Sequence, residues 1–141
     1  MARGTKRKRM PKLEFNHAMV YSQDVARALE FYRDLLGFVV METYEYHQRP
    51  VYARLKSPAG KTSIALHQLD PGMTSAGSAD IRLYFETPKL ATLCKQLAAR
   101  GVKFKQMPKK MPWGWTHAYL NDPDGHEISL YWAGAQRLKR R

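Results

Sequence analysis

The chain has 141 residues, and its 24 Lys and Arg against 12 Asp and Glu leave a formal net charge of +12. That length suits one domain, or two small halves sharing a core, without help from disulfides. No apolar run reaches the roughly 18 residues of a membrane span. The start lacks a secretory-signal pattern. The single cysteine, Cys94, excludes an internal disulfide framework and a cysteine-rich zinc site, so a cytoplasmic protein is expected.

The charge is unevenly placed. Residues 1–12 carry six basic side chains and residues 133–141 carry four, with no acid in either stretch. The remaining 14 basic residues face 12 acidic ones, so the body is nearly neutral. Block charge of this kind is expected to be disordered and solvated, with nucleic acid a partner only through these tails.

The body begins with an alternating strand at 13–20, with Leu13, Phe15, His17 and Met19 on one face. Ser22 or Asp24 caps a helix over 25–36, whose stripe is Val25, Leu29, Tyr32 and Leu36, and Gly37 stops it. Strands follow at 38–46, 50–56 and 62–69, the last two split by the turn Ser57-Pro58-Ala59-Gly60. The Gly/Ser/Pro-rich stretch 71–79 reads as a linker. The pattern then restarts, with a strand at 80–86, a helix over 88–100, a short strand at 102–105, a basic Pro-rich loop from Lys105 to Pro112, and a strand at 115–120. The turn Asp122-Pro123-Asp124-Gly125 and a last strand at 126–132 close it. Each half, 13–70 and 80–132, thus reads strand–helix–strand–strand–strand. The expected architecture is α+β, with two paired βαβββ modules forming a curved mixed-sheet cup and helices on its outer face.

Two separated segments carry a resemblance. Asn16-His17-Ala18-Met19-Val20 with Asp24 through Phe38, and Asp122-Pro123-Asp124-Gly125 through Trp132, resemble the opening and closing of the vicinal oxygen chelate superfamily. That superfamily comprises glyoxalase I, fosfomycin and bleomycin resistance proteins and extradiol dioxygenases. The resemblance covers about residues 13–132. It implies paired βαβββ modules, a homodimer, and one divalent metal (Zn, Ni, Mn or Fe) held in the cup, with lyase or dioxygenase chemistry.

Carried over residue by residue, the family's four ligand slots fall on His17, Ala65, Arg82 and Ser129. Only the first can hold a metal in the usual way. Alanine has no donor atom, and arginine stays protonated with no lone pair to give. His67 and Glu127 each lie two residues from a slot and share its face, so a shifted set of His17, His67 and Glu127 is the metal expectation, with Glu127 as the catalytic carboxylate. The alternative is a metal-free binding or resistance protein on the same fold. There Arg82 replaces the metal's charge and binds an anionic group. Tyr84, Ser129 and Tyr131 on the cup face, and Trp113 and Trp115 above it, then complete the substrate-binding set around a small anionic or aromatic molecule. His117 and His126 are expected to be structural or exposed, and Cys94 to face the core.

Overall fold

A computed structural model describes residues 10–73, 77 and 81–136. Most of the basic stretch 1–12, most of the linker 71–79 and the four terminal cations lie outside the described residues.

The first module runs β1 (Ala18–Ser22), α1 (Val25–Leu29) continuing as π-helical turns (Glu30–Leu35), β2 (Val39–Tyr46), β3 (Arg49–Lys56) and β4 (Ser63–Gln68). The second repeats it as β5 (Arg82–Glu86), α2 (Leu90–Ala99), β6 (Phe104–Lys110), β7 (Thr116–Asn121) and β8 (Glu127–Trp132). Each module forms its own four-stranded sheet, in orders β1-β4-β3-β2 and β5-β8-β7-β6. The β1–β4 and β5–β8 pairs are parallel and the rest antiparallel. α1 packs on β3 and β4, and α2 on β6 and β8.

The local reasons are in the sequence. Asp24 caps α1, its carboxylate accepting from the Arg27 amide at 3.3 Å. Val25, Leu29 and Tyr32 of the expected stripe are buried. Gly37, at φ +79°, ends the helix where an L side chain is disfavoured. One core cluster spans both modules, from Val20, Leu55 and Leu66 to Leu120, Ile128 and Leu130.

Two expectations on element bounds change. The first strand begins at Ala18 rather than residue 13, and Leu13 and Phe15 stay 97% and 83% exposed. Alternation alone made 13–17 strand-like, but among the described residues nothing pairs with it. The stretch read as a loop from Lys105 is mostly strand, since β6 runs to Lys110. Pro108 is tolerated because β6 is an edge strand, and the register shifts between Gln106 and Lys109.

The Asp122–Gly125 turn joins the modules. Tyr32 Oη donates to Asp122 Oδ2 at 2.7 Å, Ser22 Oγ donates to Asp124 Oδ2 at 2.6 Å, and the Gln23 amide donates to Asp124 Oδ1 at 2.9 Å. His126 Nε2 donates to the Tyr21 carbonyl at 2.7 Å. His126 is thus structural, as expected. Phe38 and Phe85 meet edge-to-face across the same junction at 5.2 Å. Among the described residues no helix is long and apolar enough to cross a membrane.

Candidate ligand-binding face of the second module

Strand parity sorts each sheet into a face under the helix and an open face. In the second module Leu83, Phe85, Ile128 and Leu130 join the core. The alternate residues Arg82, Tyr84, Glu127, Ser129, Tyr131, His117 and Tyr119 share the open face, because the registers Tyr84↔Ser129, Tyr119↔Ser129 and His117↔Tyr131 align them.

The centre of this face is aromatic. His117 lies 5.3 Å from Tyr131 and 5.6 Å from Tyr119, with planes within 17° of parallel. Trp115 lies 5.6 Å from Tyr131 at 19°. Tyr84 meets both His117 and Tyr131 edge-on. The turn between β6 and β7, closed by Met111 N to Trp115 O at 2.8 Å, brings Trp113 over His117, with Nε1 donating to His117 Nε2 at 3.4 Å.

His117 is 2% exposed and partnered through both ring nitrogens, the structural rather than the exposed of the two roles expected of it, at the centre of the face. Its Nε2 accepts from Trp113, so in the neutral ring Nδ1–H donates to Ser129 Oγ, 2.7 Å away. This tautomer leaves Ser129 without a base. Burial, then the Arg82 charge, holds His117 below the ordinary imidazole value. Ser129 is fully buried. It supports His117 from beneath, and of the expected substrate contacts it is the one with no exposed surface. Tyr84 and Trp113 remain about half exposed.

The charged end of the face is a three-residue network. Arg82 Nε and Nη2 both donate to Glu127 Oε1, at 2.9 and 2.8 Å. Lys105 Nζ donates to the other oxygen, Oε2, at 2.9 Å. Lys105 and then Arg82 hold the Glu127 carboxyl below its ordinary value. Arg82 also donates to Tyr84 Oη at 3.4 Å, and its Cζ sits 4.6 Å from the centre of the Tyr119 ring. Two cations on one carboxylate leave the network net positive.

The expected metal set does not converge. The β1–β4 register places Tyr21, not His17, beside His67. His17 lies four residues before Tyr21, about 13 Å of strand rise away, whereas two ligands of one ion must lie within a few ångströms of each other. His17 Nδ1 donates to Asn16 Oδ1 at 2.7 Å, and His67 Nδ1 to the Gln68 carbonyl at 2.5 Å. Glu127 belongs to the other sheet and is held by two cations. Among the described residues no group of three or more His, Cys, Asp or Glu side chains could hold a metal. The same cations make Glu127 a poor general base, since its lone pairs already accept from Arg82 and Lys105.

The open face of the first module is different in kind. Tyr52 Oη donates to Glu42 at 2.9 Å, and Arg54 donates to Ser63 Oγ at 3.0 Å and to Asn16 Oδ1. Between the modules a cavity of about 650 Å³ is lined by Phe15, Phe38, Pro58, Ile64, Phe85 and, at its polar end, Arg82. Cys94 is buried on α2, and burial pushes its thiol up to about 11.

Comparison with known proteins supports the resemblance. No curated protein matches the chain. A structure from Sphaerobacter thermophilus, a member of the glyoxalase/bleomycin resistance protein/dioxygenase superfamily, is 26% identical over 86% of this chain and 98% of its own, with a TM-score of 0.71. TnmS3, an antibiotic binding protein from Streptomyces sp. CB03234, is 26% identical over 88% of this chain and 98% of its own, with a TM-score of 0.70. A glyoxalase/bleomycin resistance protein from the same Streptomyces is 30% identical over 82% of this chain and 98% of its own, at 0.64. The family model for the Glyoxalase/Bleomycin resistance protein/Dioxygenase superfamily matches residues 14–130, and the chain belongs to that family.

Proposed function

We propose that this protein binds a small planar aromatic molecule bearing an anionic group on the open face of the second module, without needing a metal. The observation that carries the reading is the group of rings Tyr84, Trp113, Tyr119 and Tyr131 gathered around the buried His117 and ending at Arg82. Flat rings offer stacking surface, and a guanidinium beside them offers a charge-assisted hydrogen bond to a carboxylate, enolate or phosphate. Arg82 already shares Glu127 with Lys105, so an incoming anion finds a site whose positive charge is only half neutralised. Sequestration without turnover is the form of activity favoured, because Glu127 is tied to two cations and Ser129 has no base. The similarity to TnmS3, itself described as an antibiotic binding protein, supports a binding role.

A cytoplasmic homodimer belongs to the same proposal. β1 and β5 are each an outer strand of their sheet, and Phe15, Met19 and Ile81 stay exposed around them. A second copy is the natural cover for such a patch.

Titration of the protein with 9-anthracenecarboxylate and with its neutral alcohol, followed by tryptophan fluorescence, tests the reading. The acid is expected to saturate at one per chain with or without a chelator, and to bind about tenfold tighter than the alcohol. Arg82→Ala removes that preference. Equal binding of acid and alcohol, or binding only after metal is added, contradicts it.

A further inference from the structure

The same module has a second property that a small ligand leaves unused. From Thr87 to Asn121 the sequence contains seven Lys and Arg and no Asp or Glu. Four of the seven, Lys103, Lys105, Lys109 and Lys110, lie on or beside β6 and are exposed. Only Lys105 forms an ion pair among the described residues. β6 borders β7, with Lys109 paired to His117 and Lys105 reaching Glu127, so these two cations lie on the open face alongside the rings, while Lys110, paired to Thr116, turns to the other side. Trp113 and Tyr84, 48% and 51% exposed, stand at the turn beyond β6 and on β5. The ten cations of residues 1–12 and 133–141 add to the same sign.

We infer that this face binds single-stranded nucleic acid, with bases stacking on exposed rings and phosphates following the lysines of β6. Exposed aromatics offer every base a π-face, while a bordering row of cations tracks the backbone. That combination takes single strands with little sequence preference. A duplex hides its base faces and offers only its phosphates. An anionic membrane would meet the charge but would leave the ring row unexplained. The inference uses the same rings as the small-ligand reading and does not depend on that ligand existing.

The test uses the full chain and a labelled oligo(dT) of about 16 nucleotides, the upper end of single-fold site sizes, against a duplex of equal length and against phosphatidylserine vesicles. The single strand is expected to bind about tenfold or more tighter than the duplex and to quench tryptophan fluorescence. Trp113→Ala is expected to weaken it about tenfold, since stacking contributes that much per base. Trp113→Phe restores most of the loss, which separates stacking from a folding defect. Lys105→Gln with Lys109→Gln is expected to weaken binding and flatten its dependence on log salt by about 1.4, or 0.7 per phosphate contact. Equal or tighter duplex binding, insensitivity to Trp113→Ala, or binding to vesicles alone overturns the inference. Oligonucleotide binding that persists when 9-anthracenecarboxylate does not bind supports this inference while the small-ligand reading fails, and the reverse pattern separates them the other way.

Discussion

The two modules share one topology and differ in what they do with it. Residues 13–70 carry six basic side chains against seven acidic ones, and residues 80–132 carry eight against five. The cross-strand row at the heart of each open face contains one tyrosine and one histidine, Tyr52↔His67 in the first and His117↔Tyr131 in the second. Yet His67 keeps 35% of its side chain exposed, while His117 is buried. The connection above the row makes the difference. β2 and β3 are joined by only His47 and Gln48, both in the left-handed region at φ 52° and 64°, a two-residue hairpin turn that covers nothing. β6 and β7 are joined by Met111 to Trp115, long enough to bring two indoles back over the histidine. A site here is made by a turn laid on a repeated scaffold, not by the strands alone.

Several variants break or sharpen this contrast. The largest effect is expected where the modules are clasped. Asp122 is buried and accepts from Tyr32 Oη and from the Asp124 and His126 amides. Asp122→Ala strands all three donors and should cost about 3 kcal/mol, read from urea unfolding. A loss under 1 kcal/mol would mean the modules do not depend on that turn.

His117 comes next. Its proton affinity is lowered in the folded protein, so the unfolded chain takes up the proton first as pH falls below the ordinary imidazole value. Stability should therefore decline with falling pH from that value down to the lowered folded one, and level off beyond it. His117→Gln should remove this slope while keeping a partner for Ser129, in unfolding curves compared across that window.

A gentler exchange is Tyr52→His with His67→Tyr, which gives the first module the second module's row. Stability should change by no more than about 1 kcal/mol, and binding of 9-anthracenecarboxylate should be unaltered because no tryptophan turn covers that row. A second equivalent of bound ligand would show that the strands alone make a site.

The smallest effect is expected at Glu127→Gln. The pairs it forms with Arg82 and Lys105 are partly exposed, so stability should fall by no more than about 1 kcal/mol. Arg82 is released, and affinity for the aromatic acid should rise. Acid acts in the same direction: Glu127, held low by its two cations, keeps its share of stability above the ordinary carboxylate value and loses it as pH falls through the lowered one.

Much of the fold was legible because it rests on local rules. The helix cap at Asp24, the apolar stripe ending at Gly37 and the turn at Asp122–Gly125 are short-range chemistry, and the structure keeps all three. The continuation of β6 beyond residue 105 reads as loop because of Pro108 and its lysines, and only its edge position makes them admissible. Parity and proximity to the turn place Tyr84, Tyr131, Trp113 and Trp115 on one side of the sheet, where the structure has their rings around His117. Whether His117 is buried or exposed is not legible in the sequence, because its burial comes from the turn folding back, although its place opposite Tyr131 follows from parity. The Arg82–Glu127 pair follows from the shared face of β5 and β8, whereas Lys105, 22 residues from Glu127 on β6, lies beyond any spacing rule.

The central claim is that the second module's face, and not the first's, takes the ligand. Side-chain ring resonances of the full-length protein, followed by NMR during addition of 9-anthracenecarboxylate, test it most directly. Saturable shifts are expected at His117, Tyr119, Tyr131 and Trp115, with His67 and Tyr52 unmoved. Shifts centred on His67 and Tyr52, with the second module's rings silent, would contradict it.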